Sequence, residues 1–270
     1  MTALITTEAL AGQLGNPHLC ILDASWYMPS EKRSALAEYT EAHIPGTIFF
    51  DIDAVSDNTS PYPHMLPSAQ AFAEAVGALG IGNGSEVVVY DGNGLFSAPR
   101  VWWMLRVFGH DNVKVLDGGL PKWRSESRKM EAGATAPETA IFQSGFRPEL
   151  LRVKSQIDEN TRTQQEQLID ARSPGRFQGS EPEPRPGLKS GHIPGSVNIC
   201  FKDCVMPPYN RLRPLSELSA LFKNKITIEK PTIASCGSGV TACILALSLY
   251  ELGNKDVAIY DGAWAEWGSN

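Results

Sequence analysis

Apolar residues in this chain fall in short runs, each bounded by turn-forming residues. Leu19-Cys-Ile-Leu, Val87-Val-Val-Tyr and Thr232-Ile-Ala are of strand length and rich in β-branched side chains, which predicts buried strands. The segment after the last of these is different. Ala242 to Leu252 is apolar almost all round and Gly253 closes it, which predicts a buried helix with a glycine stop. Pro45 and Pro194, each between Ile and Gly, mark turns leading into further strands. The first ten residues read as an opening strand and helix rather than a signal peptide, because no basic start precedes a long apolar core.

The pattern occurs twice. Ile21-Leu-Asp-Ala-Ser, Glu41-Ala-His-Ile-Pro-Gly-Thr, Val87-Val-Val-Tyr-Asp-Gly-Asn-Gly and Gly109-His-Asp-Asn-Val-Lys-Val-Leu-Asp-Gly-Gly come in that order. About 145 residues later each has a counterpart: Leu168-Ile-Asp-Ala-Arg, Ser190-Gly-His-Ile-Pro-Gly-Ser, Thr232-Ile-Ala-Ser-Cys-Gly-Ser-Gly and Gly253-Asn-Lys-Asp-Val-Ala-Ile-Tyr-Asp-Gly-Ala. A duplicated unit of alternating strands and helices predicts the α/β class: two tandem domains, each a parallel sheet with helices on both faces. The expected domains are 1–133 and 151–270. The small, polar stretch 134–150 is the expected linker. Two related domains also predict a cleft between them that would serve a small molecule.

Charge narrows the partners. The chain of 270 residues carries a net charge of −6, so its field repels nucleic acid and anionic membrane. No apolar run approaches the ~18 residues of a membrane span. An anionic substrate would need a few placed arginines. The five cysteines (Cys20, Cys200, Cys204, Cys236 and Cys243) are odd in number and form no Cys-x-x-Cys pair. That argues for a reducing, cytoplasmic location. Cys200 and Cys204 lack further ligands at suitable spacing, so no metal and no cofactor are expected. Cys20 and Cys243 read as core.

Cys236 is the candidate nucleophile. It opens a loop with two glycines between a strand and a helix, a setting in which backbone N–H groups and the helix N-terminus can hold a thiolate. The matching residue in the first copy is Asp91, which cannot carry a sulfur atom as a persulfide. The first copy therefore reads as catalytically silent. His43 and His192 occupy matching positions in both copies, which favours a structural role. Arg172 is expected to add positive potential, and Arg100 to serve as an ion-pair partner in the core or between domains. The Trp102–Trp103 and Trp264–Trp267 pairs are expected to pack.

The paired His-Ile-Pro-Gly motifs, with Cys236-Gly-Ser-Gly-Val-Thr in the second copy only, resemble two-domain rhodanese-like sulfurtransferases. The likeness extends to Ser60-Pro-Tyr-Pro-His-Met-Leu-Pro, Ser97-Ala-Pro-Arg-Val-Trp-Trp, Gly175-Arg-Phe and Glu181-Pro-Glu-Pro-Arg, and so to nearly the whole chain. It implies that Cys236 takes sulfur from a donor as a persulfide and passes it to a thiol such as thioredoxin or glutathione, or to cyanide. Loop residues Gly237, Gly239, Val240 and Thr241 would line the donor site. Gly237 and Ser238 stand where thiosulfate-using members carry basic residues, which points to the 3-mercaptopyruvate branch. In that branch Arg176 and Arg185 would hold the donor, and Ser238, His64 and Asp53 would relay protons, the last two from the first domain. The alternatives are a thiosulfate:cyanide sulfurtransferase and a non-catalytic binding module of this fold.

Overall fold

A computed structural model describes residues 2–269. The chain divides into two units. The first comprises residues 1–56, 67–146 and 207–211; the second comprises 57–66, 147–206 and 212–270. Of the stretch read from the sequence as a linker, residues up to Phe146 lie against the first unit. Ala140 N–H donates to the Gly77 carbonyl (2.8 Å), Gly145 N–H donates to the Phe108 carbonyl (2.9 Å), and the buried Phe142 ring stands edge-on to Phe72.

The first unit contains a five-stranded parallel sheet. Its strands are β1 (Leu4–Ile5), β2 (Leu19–Asp23), β3 (Thr47–Phe49), β4 (Glu86–Tyr90) and β5 (Val113–Leu116), in the order β1-β5-β4-β2-β3. The second unit repeats it with β6 (Leu151–Arg152), β7 (Gln167–Asp170), β8 (Ser196–Asn198), β11 (Thr232–Ser235) and β12 (Ala258–Tyr260), in the order β6-β12-β11-β7-β8. The short strands β9 (Val205–Met206) and β10 (Arg211–Leu212) lie outside both sheets. Helices flank each sheet, as the alternating pattern predicts.

Both central strands are buried for most of their length, which is why β4 and β11 read as near-continuous apolar runs. The helix after each is buried too. All ten residues of Ala98–Val107 are buried, as are the first eight of Ala242–Glu251. Equivalent residues form the two cores: Ile21, Val88, Leu116 and Leu120 in one; Leu168, Ile233, Tyr260 and Trp264 in the other. Arg100 sits in the first core, fully buried, with its guanidinium 4.5 Å from the Trp103 ring centre. Cys20, expected in the core, is only partly buried because β2 begins near the surface. Cys243 is buried as expected.

The two histidines common to both copies act alike. His43 Nδ1 lies 2.7 Å from the Tyr39 carbonyl and its ring stacks on Tyr39; His192 Nδ1 lies 2.9 Å from the Phe177 carbonyl and its ring stacks on Phe177. Each locks a turn onto the preceding helix. No helix among the described residues is long and apolar enough to cross a membrane.

Candidate active site

Strand β11 ends at Ser235, and the loop 236–241 leads into the helix that begins at Ala242. The loop is held from below: Trp264 N–H donates to the Cys236 carbonyl and Ala265 N–H to the Gly237 carbonyl, both at 2.9 Å. Gly239 turns the chain with φ +78°, a conformation that costs a side chain dearly. Cys236 is buried, with 2 % of its surface exposed.

The first unit shows where such a loop directs its donors. Asp91 occupies the place of Cys236, and its Oδ2 accepts the N–H groups of Phe96, Ser97 and Ala98 at 2.8, 3.0 and 2.9 Å. Its Oδ1 accepts Asn93 N–H at 2.9 Å. Burial pushes this carboxyl up, and the four amide bonds pull against it. The counterparts of those three Oδ2 donors are Val240, Thr241 and Ala242, at the same turn into the same helix. Among the described residues their N–H groups meet no protein acceptor. Buried amides rarely stay unpaired. The three flank the N-terminus of the helix that begins at Ala242, where backbone N–H groups suit an anion.

Other side chains converge on the loop. His64 is buried, adopts φ +61°, and brings Nδ1 to 3.1 Å from Ser238 Oγ, one atom donating and the other accepting. The segment 57–66 that carries it packs in the second unit. It is closed by Asp57 N–H to the Met65 carbonyl (2.8 Å) and anchored by Leu66 N–H to Asp261 Oδ2 (2.7 Å). The first unit has the mirror arrangement. There Asn210, also left-handed, donates Nδ2–H to the Asn93 carbonyl (2.7 Å), and Arg211 donates to Asp117 (3.0 Å). Asp53 lies in the first unit, where its carboxylate accepts Trp26 Nε1–H at 3.1 Å.

Arg185 Nη2 reaches Ser238 Oγ at 3.5 Å. Arg176 lies over Gly237 so closely that a Cβ there would meet its Nη2 at 2.9 Å. Arg176 is also paired with Glu183, Nη2 to Oε2 at 2.6 Å, so this ion pair coexists with a place beside Gly237. Arg172 does not add free positive potential as expected. Its buried guanidinium is taken up by Asp170 and Glu183, each at 2.7 Å. Sequence reasoning did not assign Glu183 or Asp261 a role here. The one visible signal was the second acid in Glu-Pro-Glu-Pro-Arg. Among the described residues no group of three or more His, Cys, Asp or Glu is placed to hold a metal ion.

The family model described as Rhodanese-like domain matches residues 6–126 and again 153–270. The chain belongs to the rhodanese family. It is 47 % identical to the human 3-mercaptopyruvate sulfurtransferase over 99 % of this chain and 91 % of that protein. It is 49 % identical to a mitochondrial thiosulfate/3-mercaptopyruvate sulfurtransferase of Arabidopsis thaliana, over 98 % of this chain and 75 % of that protein. Among solved structures, the 3-mercaptopyruvate sulfotransferase of Escherichia coli superposes with a TM-score of 0.89 at 40 % identity, covering 98 % of this chain and 99 % of that one. The two rhodanese-like copies thus share a frame, and only the second keeps a cysteine at the loop head.

Proposed function

We propose that the chain moves sulfur from 3-mercaptopyruvate to a thiol or cyanide acceptor through a persulfide on Cys236, releasing pyruvate. What supports this reading is that the Asp91 carboxylate accepts three N–H groups at the turn into its helix, while those of Val240, Thr241 and Ala242 at the corresponding turn meet no protein acceptor among the described residues and are left for an anion on Cys236.

The Cys236 thiolate attacks the donor sulfur. An S–S bond forms, the C–S bond breaks, and its electron pair leaves on carbon as the enolate of pyruvate. Arg176 and Arg185 hold the donor's carboxylate and ketone, placing the sulfur against Cys236 and spreading the enolate's charge. A proton then reaches the enolate carbon; Ser238, His64 and Asp53 are the relay proposed to supply it. In the second half the acceptor thiolate attacks the outer sulfur. The S–S bond breaks, Cys236 leaves as thiolate, and the acceptor departs as a persulfide, or as thiocyanate when the acceptor is cyanide. The acceptor is a small thiol or a thioredoxin-like protein. A reducing compartment, the cytoplasm, suits a chain whose five cysteines are all free thiols.

Thiosulfate is the second donor to weigh, because the Arabidopsis relative is named for both. The space beside Cys236 argues for the keto-acid: Arg176 fills the place that a side chain at position 237 would need. Pyruvate and thiocyanate production with each donor, at varied concentration and fixed cyanide, tests the assignment. The expected kcat/KM favours 3-mercaptopyruvate by at least ~10-fold. A preference for thiosulfate would overturn the donor.

A further inference from the structure

Residues 180–186 form an exposed, proline-rich loop in which one side chain turns inward. Glu181 faces solvent and accepts a hydrogen bond from Ser173 Oγ (2.8 Å), whereas the Glu183 carboxylate keeps only 3 % of its surface exposed. Two guanidinium groups meet there. Arg172 donates Nη1–H to Oε1 at 2.7 Å; Arg176 donates Nε–H at 3.2 and 3.3 Å and Nη2–H to Oε2 at 2.6 Å.

The two arginines are not equivalent. Arg172 is an anchor. It donates three bonds to Asp170 at the end of β7, one to the Gly191 carbonyl (2.9 Å), and lies 4.1 Å from the Trp264 ring centre. Arg176 is held by a single carboxylate along its Nε–Nη2 edge and is 22 % exposed. A guanidinium offers two such edges, each matched to one carboxylate. With one edge committed to Glu183, Arg176 presents Nη1, and the outer hydrogen of Nη2, toward Gly237 beside Cys236.

We propose that Glu183 is the positioning residue of the donor site. Braced by Arg172, its carboxylate turns the guanidinium of Arg176 so that the free edge faces the Cys236 loop and receives the donor's carboxylate. This rests on the donor reading above. A buried carboxylate bonded to two arginines is costly to assemble and is retained for orientation rather than stability. Glu183 touches no reacting atom and acts through Arg176.

The test is a double-mutant cycle in the full chain, with 3-mercaptopyruvate varied at saturating cyanide. Glu183→Gln should raise KM about tenfold while kcat stays within about threefold, because the lost orientation is a binding effect. Glu183→Asp, which keeps the charge but shortens the reach, should fall between. In an Arg176→Ala background, Glu183→Gln should change KM no further. An unchanged KM in Glu183→Gln, or an effect that adds in full to that of Arg176→Ala, overturns the proposal. So does a parallel fall in kcat alone. If Glu183→Gln does not fold, Glu183→Asp alone and combined with Arg176→Ala gives the same two outcomes. A wild-type chain inactive with 3-mercaptopyruvate would instead overturn the donor reading, so the two failures are distinct.

Discussion

Asp91 and Cys236 stand at the same point of two copies of one loop, and the Asp91 carboxylate accepts N–H groups at the turn into its helix whose counterparts in the Cys236 copy meet no protein acceptor among the described residues. The hold on Asp91 carries a stability cost if disturbed. Asp91→Ala strands four amide donors, two of them buried and two partly so, and each unsatisfied buried group costs about 1–3 kcal/mol before relaxation. Urea titration should show a loss of about 2–4 kcal/mol. Activity per folded molecule should be retained, since Cys236 lies in the other unit. A loss below about 0.5 kcal/mol would show that these amides do not need the carboxylate.

Gly237 is a glycine because Arg176 passes over it. Gly237→Ala places a methyl against Nη2, and the guanidinium must shift. KM for 3-mercaptopyruvate should rise by about 3–10-fold, and Arg176→Lys should do the same by losing the planar fork. Placing Arg at 237 and Lys at 238 should move preference toward thiosulfate by adding charge where Arg176 is displaced. The ratio of kcat/KM for the two donors measures this. An unchanged ratio would remove loop charge from donor choice.

His64 Nδ1 lies 3.1 Å from Ser238 Oγ and 3.3 Å from the Ser238 carbonyl. If they move a proton as a unit, Ser238→Ala and His64→Asn should each lower kcat by about 10–10²-fold. The double variant should be no slower than the worse single one. Fully multiplied losses in pre-steady-state pyruvate release would show that the two act separately.

The paired copies predict a pH effect away from the chemistry. Asp170 has Arg172 beside it, whereas its counterpart Asp23 has Ser25 and no arginine. Burial pushes the Asp23 carboxyl up to about 6, against the pull of its bonds from Ser25. The folded value lies above the unfolded one of about 4, so between those pH values the folded state holds the extra proton. This group's contribution to stability is therefore full below about pH 4, falls as pH rises, and by pH 7 is lower by about 3 kcal/mol. Asp23→Asn should raise Tm at pH 8 and leave it nearly unchanged at pH 3.5. Equal shifts at both pH values would contradict the assignment.

How much of this was legible in sequence depends on how local each feature is. Strands such as Val87-Val-Val-Tyr and the apolar helix after Thr241 announce themselves, because burial on all sides leaves no polar positions. Cys236 and its glycines are consecutive in one loop, so their chemistry can be read from spacing. Glu183 could not be told from Glu181: two acids two apart in a proline-rich loop differ only in which one the fold turns inward. Arg172 looked like free charge because one of its two carboxylate partners, Glu183, lies on a segment 11 residues on, and the Trp264 ring beside it is farther still in sequence. The grouping of His64 with the second unit was equally hidden, since its left-handed backbone and the Leu66–Asp261 bond are tertiary. The four-amide hold on Asp91 showed in sequence only as a missing cysteine.

Mass spectrometry of the Cys236 peptide after brief exposure to 3-mercaptopyruvate without acceptor tests the central claim most directly. One added sulfur, about 32 Da, should appear on that peptide, vanish on addition of cyanide, and be absent from Cys236→Ser, whose turnover should fall by at least ~10³-fold. An unmodified Cys236 in a chain that still releases pyruvate, or sulfur carried on Cys20, Cys200, Cys204 or Cys243 instead, would contradict it.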